Sequence, residues 1–157
     1  MKVLVLCHGN RWRSVICKAA LSKLSPAVEL DSAGFRYPGN KPALSIQNLC
    51  WDELGVDVSE HRSKVVTAGH IQWADHIIYM DGGNRRRLLE GFGEQISVQK
   101  KDIHLLADYW TGTPRVTRIE DPAFVPSDDP RFREIFNIIV QSAGNFHAQV
   151  NKGGKRK

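Results

Sequence analysis

The sequence predicts a three-layer α/β domain with a short, parallel, twisted sheet of about four strands and helices on both faces. Two observations predict it. The runs Lys2–Leu6 and His76–Met80 are almost continuously apolar, which marks strands buried on both faces. Between such runs lie segments whose apolar residues recur at helical spacing, and alternating strands and helices build a parallel sheet with helices on both sides. The length of 157 residues is that of one domain.

The elements follow in order. After the first strand and Gly9-Asn10, the stretch Ser14–Leu24 places Val15, Ile16, Ala19, Ala20 and Leu24 on one helical stripe. Ala27–Asp31 reads as the second strand, ended by Ser-Ala-Gly. Pro42 suits a helix start, and Ala43–Leu54 carries Ile46, Leu49, Cys50 and Leu54 before Gly55 ends it. His76–Met80 is the third strand. Asp81-Gly82-Gly83-Asn84 turns into a helix from about Arg85 to Phe92, and Ile103–Leu106 is the fourth strand. Thr111–Asp129, rich in Pro, Gly and Asp, reads as a long loop. Pro130 opens a terminal helix through Phe132, Ile135, Phe136, Ile139 and Val140.

Composition narrows the class. Charged residues are 25% of the chain, ordinary for a globular protein and unlike a disordered, collagen-like or coiled-coil sequence. No apolar run spans a bilayer, and no secretory leader is evident. Three cysteines, an odd number with no C-x-x-C pair, argue against a disulfide framework. A cytoplasmic setting without membrane attachment is therefore expected. The net charge is +5. Four of the 22 basic residues sit in Asn151–Lys157, which leaves 18 against 17 acidic ones. The expectation is a domain over residues 1–150 and a flexible basic tail over 151–157. The nearly neutral body weighs against a nucleic-acid partner. The six histidines form no metal-ligand pattern, so neither metal nor other cofactor is expected.

In open α/β sheets ligands bind at the carboxyl ends of strands. That places Cys7-His8-Gly9-Asn10-Arg11-Trp12-Arg13-Ser14 at the expected site. Taken alone, a Cys-x5-Arg spacing also describes a buried cysteine with an unrelated arginine. Its position between a buried strand and a helix start points to chemistry instead. Backbone N–H groups in such a loop can converge on an anion, helped by the helix dipole. Gly9 permits close backbone approach. Arg13 offers a planar fork for two phosphate oxygens. The same field favours the thiolate of Cys7, a nucleophile for in-line displacement at phosphorus. Ser14 could donate to the sulfur and help it leave.

The loop resembles that of the low-molecular-weight protein tyrosine phosphatases, whose signature is Cys-x-Gly-Asn-x-Cys-Arg-Ser/Thr. The likeness extends through Asp31-Ser32-Ala33-Gly34, Gly39-Asn40-Lys41-Pro42, Val58-Ser59-Glu60-His61-Arg62, His76–Asp81 with Asn84, and Ile119-Glu120-Asp121-Pro122. The resemblance implies a phosphate monoester hydrolase that passes through a cysteinyl-phosphate intermediate, with protein phosphotyrosine as substrate. Cys7 is then the nucleophile, Arg13 the phosphate ligand and Asp121 the general acid, later the base. His8, Gly9, Asn10, Arg11, Trp12 and Ser14 complete the phosphate-binding loop. Asn10 and Ser32 brace it, and Phe124 lines the cleft.

Three departures qualify the likeness. Trp12 stands where the family has a second loop cysteine. Ala123 replaces the first of two aromatic residues after the Asp-Pro. Arg11 occupies a usually apolar position, and Arg85 joins Arg86-Arg87 at a predicted helix start. If Arg11 and Arg85 both edge the pocket, the substrate carries extra negative charge, as a nucleotide or another multiply anionic phosphoester would. These arginines also keep a nucleic-acid partner open. A non-catalytic phosphate- or phosphoprotein-binding module is disfavoured by the presence of Cys7, Arg13 and Asp121 together. Arsenate reduction needs downstream resolving cysteines, and none follows Cys50. The sequence leaves the oligomeric state open.

Overall fold

A computed structural model describes residues 1–153. Four strands form one sheet: β1 (Lys2–Leu6), β2 (Glu29–Ala33), β3 (His76–Tyr79) and β4 (Asp102–Leu105). Their order is β2-β1-β3-β4 and every pairing is parallel. The register sets Val5 of β1 between Ser32 of β2 and Ile78 of β3.

Alternate residues of each strand face opposite layers, as the pleat requires. Val3, Val5, Ile78 and Met80 join one apolar cluster with α1 (Arg13–Leu24), α2 (Leu44–Leu49) and α5, whose core residues include Ile135, Phe136, Ile139 and Phe146. Leu4, Leu6 and Ile77 join the other cluster, under α3 (Ala68–Trp73) and α4 (Gly82–Val98). Here α5 spans Pro130–Gly153. The three expected layers are present, and β1 is buried on both sides.

Several element boundaries differ from expectation. The second strand lies two residues later than predicted, so Ser32 and Ala33 belong to it. The predicted Ala43–Leu54 helix divides into α2 and a π-helical turn, Cys50–Leu54, closed by Gly55 in the left-handed region at φ 65°. Helix α4 starts at Gly82 and runs to Val98, because Asp81 caps it by accepting from the Asn84 N–H. The Gly-Gly pair is thus helical, and Arg85–Arg87 begin at its fourth residue instead of its first. Helix α3 has no counterpart in the sequence reading; Thr67 and His70 close a reciprocal cap at its start. Helix α5 carries Asn151–Gly153, the first part of the expected basic tail. The rest of that tail, residues 154–157, lies outside the described residues.

β1 pairs with β2 on one side and β3 on the other. The chain therefore changes direction across the sheet at β1, and a crevice opens beyond its carboxyl end. The loops after β1, β2 and β3 all reach that crevice.

Candidate active site

Cys7 follows the last residue of β1 and is buried. Its Sγ lies 3.0 Å from Ser14 Oγ. Ser14 Oγ also accepts a 2.9 Å bond from Asn10 Nδ2, so the hydroxyl proton is left to donate to the sulfur.

Helix α1 begins with no side-chain cap at Trp12 and no acidic residue in its first turn. None of the N–H groups from His8 to Arg13 donates to a backbone carbonyl among the described residues. A helix N-terminus of this kind has donors and positive potential to offer an anion.

Asn10 sets the shape of the loop. Its φ of 53° is in the left-handed region, which Asn tolerates better than most residues. Its side-chain amide donates to Ser14 Oγ and to Ser32 Oγ at 3.0 Å, and its Oδ1 accepts from the Lys64 N–H at 3.1 Å. His61 Nε2 lies 2.8 Å from the Asn10 carbonyl and donates to it. Burial lowers the pKa of His61, with the bond to Asn10 opposing and the charges of Lys18 and Lys64 adding to the effect. Gly34, just after β2, lies against the same loop. A Cβ there would stand 2.8 Å from the His8 carbonyl oxygen and 2.9 Å from the Asn10 nitrogen.

Arg13 is only 2% exposed. One guanidinium nitrogen donates to Asp81 Oδ2 at 2.6 Å and to the Ile119 carbonyl at 3.0 Å. The other lies 3.4 Å from Asp121 Oδ2. Burial opposes ionisation of Asp81, but the hydrogen bonds from Arg13 and from the Asn84 and Gly83 N–H groups outweigh it. They hold the carboxyl below the ordinary Asp value. The Ile119 N–H also donates to the Met80 carbonyl at 2.8 Å, which ties the segment before Asp121 to the end of β3. Pro122 and Val125 are buried on either side of Ala123 and Phe124, whereas Phe124 is 88% exposed.

A family model for low molecular weight phosphotyrosine protein phosphatases matches residues 2–156. The chain belongs to this family. A probable low-molecular-weight protein-tyrosine-phosphatase, EpsP, from Ralstonia nicotianae is 33% identical over 90 residues, 55% of this chain and 59% of that one. A protein-arginine-phosphatase from Geobacillus stearothermophilus is 34% identical over 95 residues, 59% of this chain and 63% of that one. These matches therefore span about three-fifths of the length of those relatives. The solved structure of an Entamoeba histolytica protein tyrosine phosphatase superposes with a TM-score of 0.84 at 25% identity, covering 98% of this chain and 99% of that one.

In this family member Cys7, Ser14, Asn10 and Ser32 are linked by side-chain hydrogen bonds, and Arg13 and Asp121 by an ion pair, around α1's first turn. Arg11 is at the rim, where its Nε donates to the Lys41 carbonyl at 2.9 Å. Trp12 packs edge-to-face on Phe132 of α5, with ring centroids 6.0 Å apart. Gly9 lies against the Tyr37 ring. Arg85 is exposed on α4, whereas Arg87 is half-buried and its charge acts on His8. The buried residues Asn84 and Leu88 define the inward face of α4.

Sequence reasoning did not single out Asp81, His61 or Tyr37. Asp81 had a readable signal, as an Asp before Gly-Gly-Asn at a strand end, but only as a helix cap. Tyr37 is 57% exposed at φ 62°, and its ring meets His8 edge-on at 5.8 Å. Among the described residues no cluster of three His, Cys, Asp or Glu could hold a metal, and no helix is long and apolar enough to cross a membrane.

Proposed function

We propose that this protein hydrolyses phosphate monoesters, most directly phosphotyrosine in proteins, through a phosphocysteine formed on Cys7. The observation that carries the proposal is the buried Arg13 guanidinium. It gathers the loop of Cys7, the end of β3 at Asp81 and the distant Asp121 into one place. Catalysis of phosphoryl transfer is mainly positioning and charge stabilisation, and this arrangement supports both. The loop N–H groups and Arg13 bind the phosphoryl oxygens. Sγ attacks phosphorus in line while Asp121 gives its proton to the departing phenolate. Ser14 then eases departure of the sulfur as water, deprotonated by Asp121, releases phosphate.

Two exposed aromatic rings, Tyr37 beside His8 and Phe124 after Asp121, favour an aryl leaving group. The arginine phosphatase among the relatives raises a second reading, protein phosphoarginine. Arg36 and Arg87, which make no ion pair among the described residues, oppose a guanidinium leaving group and favour tyrosine. A cytoplasmic setting agrees with the three unbridged cysteines.

The test is a phosphate-release assay on para-nitrophenyl phosphate, phosphotyrosine peptides and phosphoarginine peptides. Cys7→Ser should lose turnover yet retain vanadate binding, because the loop and Arg13 remain. Rapid quenching of the wild type should trap phosphate on Cys7. Wild-type turnover by Cys7→Ser would refute the covalent route.

A further inference from the structure

Beside the phosphate loop lies a cationic corner that the proposed chemistry does not use. His8 directly follows Cys7, and its carbonyl accepts from the Phe35 and Arg36 N–H groups at 2.8 and 3.3 Å. Arg36 is therefore fixed next to His8 by backbone bonds, with its side chain exposed. Arg87 approaches from α4. A helical side chain leans toward its own N-terminus, and the N-terminus of α4 is Asp81, the partner of Arg13. Neither Arg36 nor Arg87 makes an ion pair among the described residues.

We propose that His8, Arg36 and Arg87 form a second anion subsite, which selects phosphotyrosine peptides bearing an acidic residue next to the phosphotyrosine. The electrostatics of His8 agree with this geometry. Burial disfavours its protonation, and the charges of Arg87 and Arg36 add to that, opposed by Asp121. The carboxylate whose charge acts on His8, Asp121, already faces Arg13. The corner thus holds two guanidiniums that make no ion pair among the described residues. With the phosphate in the loop, the exposed Arg36 side chain beside it is the proposed partner of a carboxylate flanking the phosphotyrosine. The Tyr37 ring meets His8 edge-on beside the corner, with centroids 5.8 Å apart.

The proposal rests on the phosphotyrosine reading above, and the test separates the two. Three substrates are compared: para-nitrophenyl phosphate, a phosphotyrosine peptide flanked by Asp or Glu, and the same peptide with Ala in those places. The wild type should favour the acidic peptide about five- to tenfold in kcat/KM, as two partly exposed ion pairs would provide. Arg36→Gln combined with Arg87→Gln should abolish that preference and leave para-nitrophenyl phosphate within about twofold. Raised salt should erode the wild-type preference likewise.

Binding of both peptides to Cys7→Ser gives the same comparison without turnover, so the subsite is tested even if the catalytic reading fails. Loss of para-nitrophenyl phosphate turnover in the double variant would show a structural role and overturn the subsite. So would a preference that survives in the double variant, or none in the wild type. A wild type that favours nucleoside monophosphates over the acidic peptide, through the same arginines, would overturn the choice of peptide.

Discussion

The phosphate loop and the acid segment face each other across one arginine, yet they are held in different ways. In the loop and its brace on β2, Asn10, Ser14 and Ser32 are fully buried, and each is tied by side-chain hydrogen bonds. In the acid segment the fixed points are the backbone of Ile119 and the buried Pro122 and Val125. Asp121 and Phe124 stand out from those anchors. The comparison teaches a division of labour. A group that must bind an anion in one geometry is over-determined, whereas a group that must exchange a proton with substrate and then water keeps access to both.

Removing the proposed proton donor should have the largest effect on that division. Asp121→Asn should lower kcat on an alkyl phosphate or phosphotyrosine by about 10²–10⁴-fold, the usual share of a general acid. The loss should be much smaller on para-nitrophenyl phosphate, whose leaving group needs little protonation. Vanadate affinity should change little, since the loop is intact. Equal losses on good and poor leaving groups would remove Asp121 from the acid role.

The converse experiment disturbs the loop and spares the acid. Gly34→Ala pushes a methyl group against the His8 and Asn10 backbone. Overpacking of this sort costs about 1–3 kcal/mol. Chemical denaturation should show that loss, and vanadate affinity should fall with it, while the ratio of rates on good and poor leaving groups stays constant. An unchanged affinity would mean that the loop is not set by its contact with Gly34.

The smallest effect concerns pH. Burial lowers the pKa of His61, which braces Asn10, and that of His104, where the charge of His76 adds to the effect. Their folded values lie below the unfolded value of about 6.5, so the unfolded chain binds more protons as pH falls. Stability is therefore present above that value and declines as pH drops through the folded values. Asp31 and Asp81 are also held low. Burial opposes their ionisation, but the bonds from Lys64 and Arg13 prevail. Their contribution remains until pH falls below the ordinary Asp value. Thermal melts should show a first decline below about pH 6.5 and a second below about pH 4. His61→Asn should flatten the first decline.

The same contrast accounts for what could be read from the chain. The loop is eight consecutive residues with a fixed spacing of Cys, Arg and Ser, so its chemistry is visible locally. The strands were visible because β1 and β3 are buried on both faces. Asp81 was not visible as a partner of Arg13, since that contact joins residues 68 apart and arises from sheet order alone. Tyr37 was hidden because its placement depends on an uncommon backbone conformation. That conformation is secured by bonds from Ser63 and Asn40 to its carbonyl. Helix α3 was missed because six residues barely express a period. Its cap, Thr67, was the available clue.

The reach of Arg13 also sets an order of events in time. Its partners lie 68, 106 and 108 residues further along the chain, and α5 packs on α1. Closing loops of that length costs entropy before any contact is gained. During synthesis Cys7 and Arg13 emerge well before residues 81, 119 and 121, the partners that Arg13 meets in the folded protein. A nascent chain can thus form β1 and α1 before any of these long-range partners is available, and the arrangement around Arg13 is complete only once the segment through Asp121 has docked.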